Sequence, residues 1–365
     1  MKHLKLVMLL LLVTITIFSC YSIITDCDAC ANNNDVIEIW EPASMGGLPF
    51  KFEGDYARWI TCTNDGNIWL SCDGYGATSL YLSTDNGDTW NNKYTTGLIF
   101  PRPVVNPVNG YIFFGNFALG WMSRSTDNGD NWEMIRIKDT SNITYFHVLG
   151  IIFTESGEMY IGGTQTYVDG TGNYCCYYSN DNGNTWVEKN RFSDEFCPLA
   201  VGKDGTLYAS MSNGIFHSTD GGTTWLPSLN YNNYFTSITI SDDDIIFGSV
   251  SSSAADRTTK YIVVKSTDKG VNWTKLTDPP FTNTDLVPQI IYNPVTKDIF
   301  IDNRNGQRLI TPPHYEICMS NNLGEDWQKL EMPVDAYYDF AVNPKTGQVF
   351  IITIRGVYRM KNYPK

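Results

Sequence analysis

The sequence predicts an all-β fold, a seven-bladed β-propeller, and three observations carry the prediction. One eight-residue pattern recurs six times, a hairpin signal precedes each copy, and a strand-like segment near the amino terminus resembles the strand that the last unit lacks. The composition, with 42% hydrophobic residues and 30 glycines in 365 positions, is typical of a globular protein rich in strands and turns. A ring of six blades with an appended hairpin is the alternative.

The recurring pattern, called the octet below, has Ser first, Asp third, Gly fifth and Trp last. Its copies begin 39 to 54 residues apart, which is typical of one supersecondary unit stacked many times. The six copies are Ser83–Trp90, Ser125–Trp132, Ser179–Trp186, Ser218–Trp225, Ser266–Trp273 and Ser320–Trp327.

Each octet predicts a tight turn between two strands. The carboxylate at the third position can accept hydrogen bonds from backbone amides that follow it. The glycine supplies a backbone angle that a side chain disfavours, and the tryptophan opens the next strand with a large apolar face. In the sixth copy an asparagine replaces the aspartate. The predicted structural acceptors are Asp85, Asp127, Asp181, Asp220, Asp268 and Asn322.

A second turn signal precedes every octet and is flanked by apolar, strand-like runs. These turns are Asn64 to Gly66, Asn109-Gly110, Ser156-Gly157, Asp204-Gly205, Asp242 to Asp244 and Thr296 to Asp298. Strand–turn–strand followed by strand–octet–strand gives four antiparallel strands per unit, which is a propeller blade.

The two ends of the chain are predicted to share the last blade. Tyr338 to Val342, Val349 to Ile352 and Val357 to Met360 read as three strands, and no octet follows them. Val36 to Glu41 reads like the strand after an octet, with Trp40 at the position of the octet tryptophan. Residues 36–365 therefore form one propeller domain, with about 47 residues per blade.

The amino terminus reads as a targeting segment. Lys2 and Lys5 precede the apolar run Leu6 to Phe18, which is shorter than the roughly 20 residues of a membrane span. Ile17 to Cys20 resembles a bacterial lipobox. We expect a lipoprotein signal peptide at 1–19, lipidation of Cys20, a flexible tether at 20–35, and an outer-membrane or cell-surface location. A secreted or periplasmic protein is the alternative.

The net charge of −13 argues against nucleic acid and anionic lipid as partners, since no basic surface remains to neutralise phosphates. We expect a monomer that meets the membrane only through its lipid anchor. Scattered histidines and a lone C-x-x-C predict neither a metal site nor a cofactor. Six cysteines read mostly as small core residues, with room for one disulfide of undetermined pairing: Cys62, Cys72, Cys175, Cys176, Cys197 and Cys318.

The octets resemble the Asp-box, or BNR, repeat of sialidases and other β-propeller proteins. The resemblance implies that the octets are structural turns on the face away from the binding site. The opposite face, called the loop face, carries the loops between blades and those joining second to third strands. Its aromatic residues, Phe192 and Phe196 among them, either contact sugar rings or pack between blades. The ligand-binding candidates are Arg102, Tyr145, His147, Tyr234 and Phe235.

The resemblance to sialidases extends to a few individual positions of the sialidase active site. Arg58 matches the arginine that this family places on its first innermost strand, although no proline follows. Tyr338 stands near the last blade, as the family nucleophile does, and Asp339 is the neighbouring carboxylate. Arg58, Tyr338 and Asp339 are therefore the catalytic candidates. The family's acid Asp and the Glu partner of its Tyr have no match, and its ring has six blades.

The function expected from these observations is glycan handling at the cell surface. The chain is then a sialidase-like or other glycoside hydrolase, or a carbohydrate-binding relative, and the sequence leaves open whether it is an enzyme. The alternative is a non-catalytic protein-interaction scaffold, as in sortilin-type receptors and photosystem assembly factors, which look similar. Three arginines and a carboxylate pair converging at the channel mouth would favour an enzyme.

Overall fold

The computed structural model describes the part of the chain that forms the propeller. Its contacts divide the chain into residues 1–38 and 39–365, and every described residue belongs to the second unit. The described residues are 39–43, 56–74, 77–96, 102–115, 120–137, 143–212, 214–230, 236–253, 259–281, 289–303, 316–333, 337–353 and 356–363. The predicted signal peptide, tether and Cys20 lie outside them. No helix among the described residues is long and apolar enough to cross a membrane.

The strands form seven antiparallel four-stranded sheets, so the prediction of a seven-bladed propeller is confirmed. Blade 1 contains β2 (Tyr56–Cys62), β3 (Ile68–Gly74), β4 (Ala77–Ser83) and β5 (Asn91–Thr96). Blade 2 contains β6 (Val104–Val105), β7 (Ile112–Gly115), β8 (Trp121–Ser125) and β9 (Glu133–Arg136). Blade 3 contains β10 (Ile143–Phe153), β11 (Met159–Tyr167), β12 (Gly172–Ser179) and β13 (Val187–Phe192).

The remaining four blades follow the same strand order. Blade 4 contains β14 (Phe196–Val201), β15 (Leu207–Met211), β16 (Gly214–Ser218) and β17 (Leu226–Asn230). Blade 5 contains β18 (Thr236–Ile240), β19 (Ile246–Ser253), β20 (Thr259–Ser266) and β21 (Thr274–Lys275). Blade 6 contains β22 (Ile290–Tyr292), β23 (Ile299–Asp302), β24 (Ile317–Ser320) and β25 (Gln328–Leu330). Blade 7 contains β26 (Tyr337–Val342), β27 (Val349–Thr353), β28 (Gly356–Met360) and β1 (Trp40–Pro42).

The hydrophobic core lies between blades, because each sheet presents alternate side chains to its two neighbours. Ile60 of β2 packs with Phe350 and Ile352 of blade 7. From the next strand of blade 1, Trp69 packs with Phe114 of blade 2. Fully burying a side chain of this size stabilises the fold by about 1.5–3 kcal/mol. The contacts between blades therefore hold the ring together.

The octet turns share one set of hydrogen bonds. In the first copy Ser83 Oγ donates to Asp85 Oδ1 at 2.8 Å and accepts from the Gly87 amide at 2.9 Å. The Thr89 amide also donates to Asp85 Oδ1, at 2.8 Å, and the Trp90 indole donates to the Gly87 carbonyl at 3.1 Å. The serine bonds and the amide bond to the third residue recur in the other five copies.

The fourth octet residue, like the glycine after it, has a positive φ. Asn86 has φ 60° and Gly87 has φ 88°, and the other copies are alike. Asparagine tolerates this left-handed conformation and occupies it in the first three copies. Lys269 and Leu323 occupy it at φ 59° and 56° without that tolerance. The octet pattern had predicted a positive φ for the glycine alone.

The octet carboxylates make the free energy of unfolding depend on pH in the acidic range. Hydrogen bonds from the Thr224 side chain and backbone lower the pKa of Asp220 to about 2. The unfolded value is about 3.9, so the native state binds fewer protons between the two values and loses stability as the pH falls through that window. We expect Asp220→Asn to flatten this loss in urea unfolding measured by tryptophan fluorescence. An unchanged pH slope would contradict the assignment. In the sixth octet the corresponding acceptor, Asn322, carries no carboxylate and does not titrate.

The ring closes through the amino-terminal strand, as the position of Trp40 predicts. β1 pairs with β28, with Trp40 opposite Met360 and Pro42 opposite Tyr358. Trp40 is fully buried, and its indole donates to the Glu331 carbonyl of blade 6 at 2.8 Å. The amino-terminal segment therefore completes blade 7.

The closing junction uses the same bonds as an internal one. At the 7/1 junction Arg359 of β28 binds Glu41 beside it at 2.7 Å and the Asn86 carbonyl of the next octet at 3.1 Å. At the 2/3 junction Arg124 of β8 binds Glu133 at 2.9 Å and the Asn182 carbonyl of the next octet. Because Glu41 follows Trp40 as Glu133 follows Trp132, β1 occupies the place of an ordinary fourth strand.

A buried asparagine joins neighbouring blades at three junctions. The Nδ2 atoms of Asn106, Asn293 and Asn343 donate to the carbonyls of turn glycines in the following blade. The acceptors are Gly157 at 3.0 Å, Gly347 at 2.8 Å and Gly66 at 3.0 Å. Each asparagine precedes a proline, so an Asn-Pro pair marks these three junctions in the sequence, although none of the predictions used it.

The six described cysteines are all free thiols, so no disulfide forms among them. Cys72, Cys175, Cys176 and Cys318 are buried, as expected for small core residues. Burial raises the pKa of the Cys176 thiol to about 12, which leaves it unreactive.

Candidate functional site

The innermost strands of blades 1 and 7 each carry a β-bulge near the loop face, as do those of blades 3 and 4. In β2 the pairing with β3 shifts between Ala57 and Trp59, which leaves Arg58 as the extra residue. In β26 the pairing with β27 shifts between Tyr337 and Asp339, which leaves Tyr338 extra. Bulges re-aim side chains and are common next to active sites. Both bulged residues were catalytic candidates, although at Tyr338 the structure describes only the backbone.

Asp339 links these two strands across the junction. Its side chain is fully buried, and its Oδ2 accepts a hydrogen bond from the Ile60 amide at 3.0 Å. A buried carboxylate requires such partners, because an unpaired charge away from water is costly. Asp339 therefore fixes blade 7 against blade 1 within two residues of Arg58.

Arg102 joins the same place from the segment before β6 of blade 2. Its Nη2 lies 3.6 Å from Asp339 Oδ2, and its Cζ lies 5.3 Å from the centroid of the Trp59 ring. The Arg102 side chain is 42% exposed, whereas that of Asp339 is 0% exposed. A cation placed over an indole gains about 0.5–1 kcal/mol at an exposed site. The Arg102 guanidinium thus contacts the Asp339 carboxylate and the Trp59 ring, and part of it remains exposed to solvent.

Arg102 leads into the shortest innermost strand of the described part. β6 has two residues, while β2 has seven. The Trp59 indole nitrogen and the Thr61 hydroxyl are buried atoms with no hydrogen-bond partner among the described residues. Buried polar atoms of this kind usually have a partner, so a water or a ligand group is expected there. We call the side chains of Arg58, Trp59, Arg102 and Asp339, with the backbone at Tyr338, the seam site.

The seam site suits recognition of an acidic, ring-shaped ligand. A guanidinium offers a planar fork of donors that matches a carboxylate, and an indole offers a flat apolar face. Asp339 acts as the holder of Arg102 and of the Ile60 amide. Burial, and then the charge of Asp339, raise the pKa of the nearby Cys62 thiol, so Cys62 is not a nucleophile.

The test of three converging arginines has one contact that bears on it among the described residues, that of Arg102 with Asp339. Arg58 and Arg102 belong to the seam site, and the described ion pair of Arg102 is with Asp339. Arg191 instead pairs with Glu188 in blade 3. Arg257, Arg304, Arg308 and Arg355 lie outside the described residues. Among the described residues of the chain, no group of histidine, cysteine and acidic side chains is suited to hold a metal ion.

The other ligand-binding candidates lie away from the seam site or outside the described residues. Tyr145 and His147 belong to β10 of blade 3, and only the backbone of Tyr145 is described. Burial lowers the pKa of His147, which favours its neutral form. Tyr234 and Phe235 lie outside the described residues.

Several aromatic residues expected near the loop face pack into the core instead. Phe192 stacks on Phe196 with ring centroids 4.4 Å apart, and Phe196 contacts Trp225. Phe146 is fully buried against Tyr177. Trp59, which was not among the predicted site residues, supplies the aromatic side chain that the structure describes at the seam site. Its position directly after the candidate Arg58 is the feature of the sequence that could have indicated it.

Comparisons with known proteins match the fold of this chain to solved structures, but they do not assign the chain to a family. No protein-family model matches the chain, and no curated protein matches it in sequence. An oligogalacturonate lyase in complex with manganese is similar in structure, with a TM-score of 0.59, 7% identity, and coverage of 88% of this chain and 96% of that one. YCF48 from Cyanidioschyzon merolae has a TM-score of 0.55 and 13% identity, covering 88% and 98%. The similarity to these two structures shows that this chain folds as a β-propeller.

A Hadza microbial sialidase is also matched, with a TM-score of 0.48 and 13% identity over 84% of this chain. The match covers 65% of the sialidase, so this chain spans just under two thirds of that protein.

Proposed function

We propose that this chain is an Asp-box propeller that binds carbohydrate at the seam site. The observation that carries the proposal is the half-exposed Arg102, held by buried Asp339 and lying over Trp59. These contacts position the guanidinium without a ligand, and preorganised groups bind with less entropic cost. The octets that resemble Asp-boxes supply the turns of the scaffold and lie on its other face.

The ligand class follows from the groups at the site. Arg102 fits a carboxylate, and Trp59 fits the flat face of a sugar ring, so a carboxylate-bearing sugar is the proposed ligand. The net charge of −13 disfavours a long polyanion. A short acidic saccharide, or one terminal acidic residue of a neutral glycan, is therefore expected. The oligogalacturonate lyase named above shows that a propeller can serve carbohydrate chemistry.

The proposal is tested by incubating the purified protein with a panel of neutral and acidic glycans. We expect retention of acidic glycans and binding that is about ten- to a hundredfold weaker in Arg102→Ala, because a hydrogen bond to a charged group is lost. Trp59→Ala should weaken binding as well. Arg136→Ala is the matched control, since Arg136 lies 4.6 Å over Trp121 on an outer strand of blade 2. If no glycan is retained, or if Arg136→Ala weakens binding equally, the proposal is wrong.

Hydrolysis is the second candidate activity, and its support is the match of Arg58 and Tyr338 to sialidase positions, since bulges like theirs also occur in β10 and β14. A glycosidase commonly needs two carboxylates about 5–10 Å apart, and the contacts of Asp339 make it a holding group. Release of sugar from the same panel would support an enzyme. Retention without release would leave a carbohydrate-binding protein.

We further propose that the protein works outside the cytoplasm, anchored through lipid on Cys20. The support is the lipobox-like Ile17 to Cys20 after a short apolar run. A monomer without nucleic-acid partners remains the expectation from its charge. Fractionation of cells should place the protein in the detergent-soluble membrane pellet, and recovery in the soluble fraction would favour the secreted alternative.

A further inference from the structure

Two hydrogen bonds join the innermost strands of blades 5 and 6. The Ile290 amide of β22 donates to Ser237 Oγ of β18 at 3.2 Å. Two residues further along β22, the Tyr292 amide donates to Thr239 Oγ1 at 3.1 Å. Alternate side chains of a strand point to the same face, so two side chains of β18 can each accept an amide of β22. A serine and a threonine thus tie these two blades along their innermost strands.

Blade 1 has Trp59 and Thr61 at the positions that Ser237 and Thr239 occupy in blade 5. Thr61 and Thr239 each pair with the second residue of the neighbouring strand, and Trp59 and Ser237 precede them by two residues. The Thr61 hydroxyl and the Trp59 indole nitrogen are buried atoms that form no hydrogen bond with any described residue. The bonds that tie blade 5 to blade 6 therefore have no counterpart from these two side chains at the 1/2 junction.

The sequence of β6 in blade 2 accounts for part of this difference. Val105 is the counterpart of Tyr292, because each precedes an Asn-Pro pair whose asparagine amide bonds across the hairpin. Pro103 then stands at the position of Ile290, and proline has no N–H to donate. The Trp59 indole opposite it can donate a hydrogen bond but cannot accept one. Trp59 and Pro103 therefore cannot form the bond that Ser237 and Ile290 form.

We propose that a ring hydroxyl of the bound acidic sugar enters between β2 and β6 and hydrogen-bonds with Thr61 and Trp59. This proposal rests on the function proposed above, in which Arg102 binds the carboxylate of the same sugar. A hydroxyl oxygen accepts from the indole N–H and donates to the Thr61 hydroxyl, so one group would pair both buried atoms. Thr61 then determines which sugar binds, because an isomer that turns this hydroxyl away leaves both atoms unpaired.

Binding of this kind requires β6 to move away from β2, because the two atoms are shielded from solvent in the ligand-free chain. β6 has only two residues, and Val104 and Val105 are its whole length. Its displacement breaks neither of the bonds that hold β22 to β18, since the 1/2 junction does not form them. The 1/2 junction is thus suited to open for the sugar.

The experiment measures the binding of three methyl glycosides to the full chain by isothermal titration calorimetry. The sugars are those of glucuronic, galacturonic and mannuronic acid, which carry the same carboxylate and differ in the direction of one or two ring hydroxyls. We expect the parent protein to bind one of them about tenfold more tightly than the others, as one hydrogen bond allows. Thr61→Val replaces the hydroxyl by a methyl group and should remove that preference.

Thr239→Val is the matched control, because it removes the same hydroxyl where that group already accepts an amide. It should lower the urea midpoint of unfolding and leave uronate binding unchanged. Thr61→Val should leave the midpoint unchanged, because its hydroxyl has no partner to lose.

The proposal is overturned if Thr61→Val keeps the parent preference, if the parent binds the three sugars equally or binds none, or if both variants lower the midpoint equally. Loss of uronate binding in Arg102→Ala together with an intact preference in Thr61→Val would overturn this proposal alone. Failure of every acidic glycan to bind would overturn the proposed function as well.

Discussion

Trp40→Ala is expected to lower the free energy of unfolding by about 3–5 kcal/mol, the usual cost of deleting a buried tryptophan side chain. Trp40 is fully buried and packs with Phe340 and Ile351 of blade 7. Its indole also donates to the Glu331 carbonyl, which would lose its partner. β1 has three residues, so it has few other contacts with which to stay in place. The measurement is equilibrium unfolding in urea.

The matched control is Trp132→Ala, which changes the tryptophan at the same position of blade 2. Trp132 is partly exposed and lies within a continuous chain, so its loss should cost less. A smaller effect of Trp40→Ala than of Trp132→Ala would show that the amino-terminal strand does not hold the ring.

Gly129→Ala should destabilise the protein by roughly 2–5 kcal/mol through two separate effects. Gly129 has φ +84°, and an alanine in the left-handed region costs roughly 1–2 kcal/mol. Its new Cβ would also lie 2.6 Å from Cη2 of Trp69, which is 1% exposed and cannot move away. Overpacking of this kind costs about 1–3 kcal/mol more.

Gly205→Ala separates the two effects. Gly205 has φ +83°, and a Cβ there would meet nothing within 4 Å. Only the backbone cost should remain, roughly 1–2 kcal/mol in the same urea titration. Equal losses in the two variants would mean that the close packing of the second octet against Trp69 is not real.

Much of the fold could be predicted because it is repeated. The octet combines a turn acceptor, a glycine and a strand-opening tryptophan, and its period fixes the blade length. Trp40 then identified the closing strand, since it stands at the position of the octet tryptophan in a strand-like segment that no octet precedes. The Asn-Pro junctions are also written in the sequence, but only the structure shows that Asn106 reaches the following blade.

The candidate site was harder to predict, because its contacts join distant parts of the chain. Asp339 bonds to the Ile60 amide across 279 positions, and no local pattern encodes that contact. The bulges at Arg58 and Tyr338 arise from strand register, which the sequence does not mark. Arg102 was selected for its charge and Asp339 for its position, whereas their meeting over Trp59 depends on closure of the ring.

Amide hydrogen exchange at Ile60, measured by NMR, tests this account most directly. Ile60 lies on an innermost strand, and its N–H is bound to Asp339 of blade 7. Slow exchange in the parent protein and fast exchange in Trp40→Ala are the predicted results, because loss of the closing strand should release blade 7 from blade 1. Fast exchange at Ile60 in the parent protein would contradict both the closed junction and the seam site built on it.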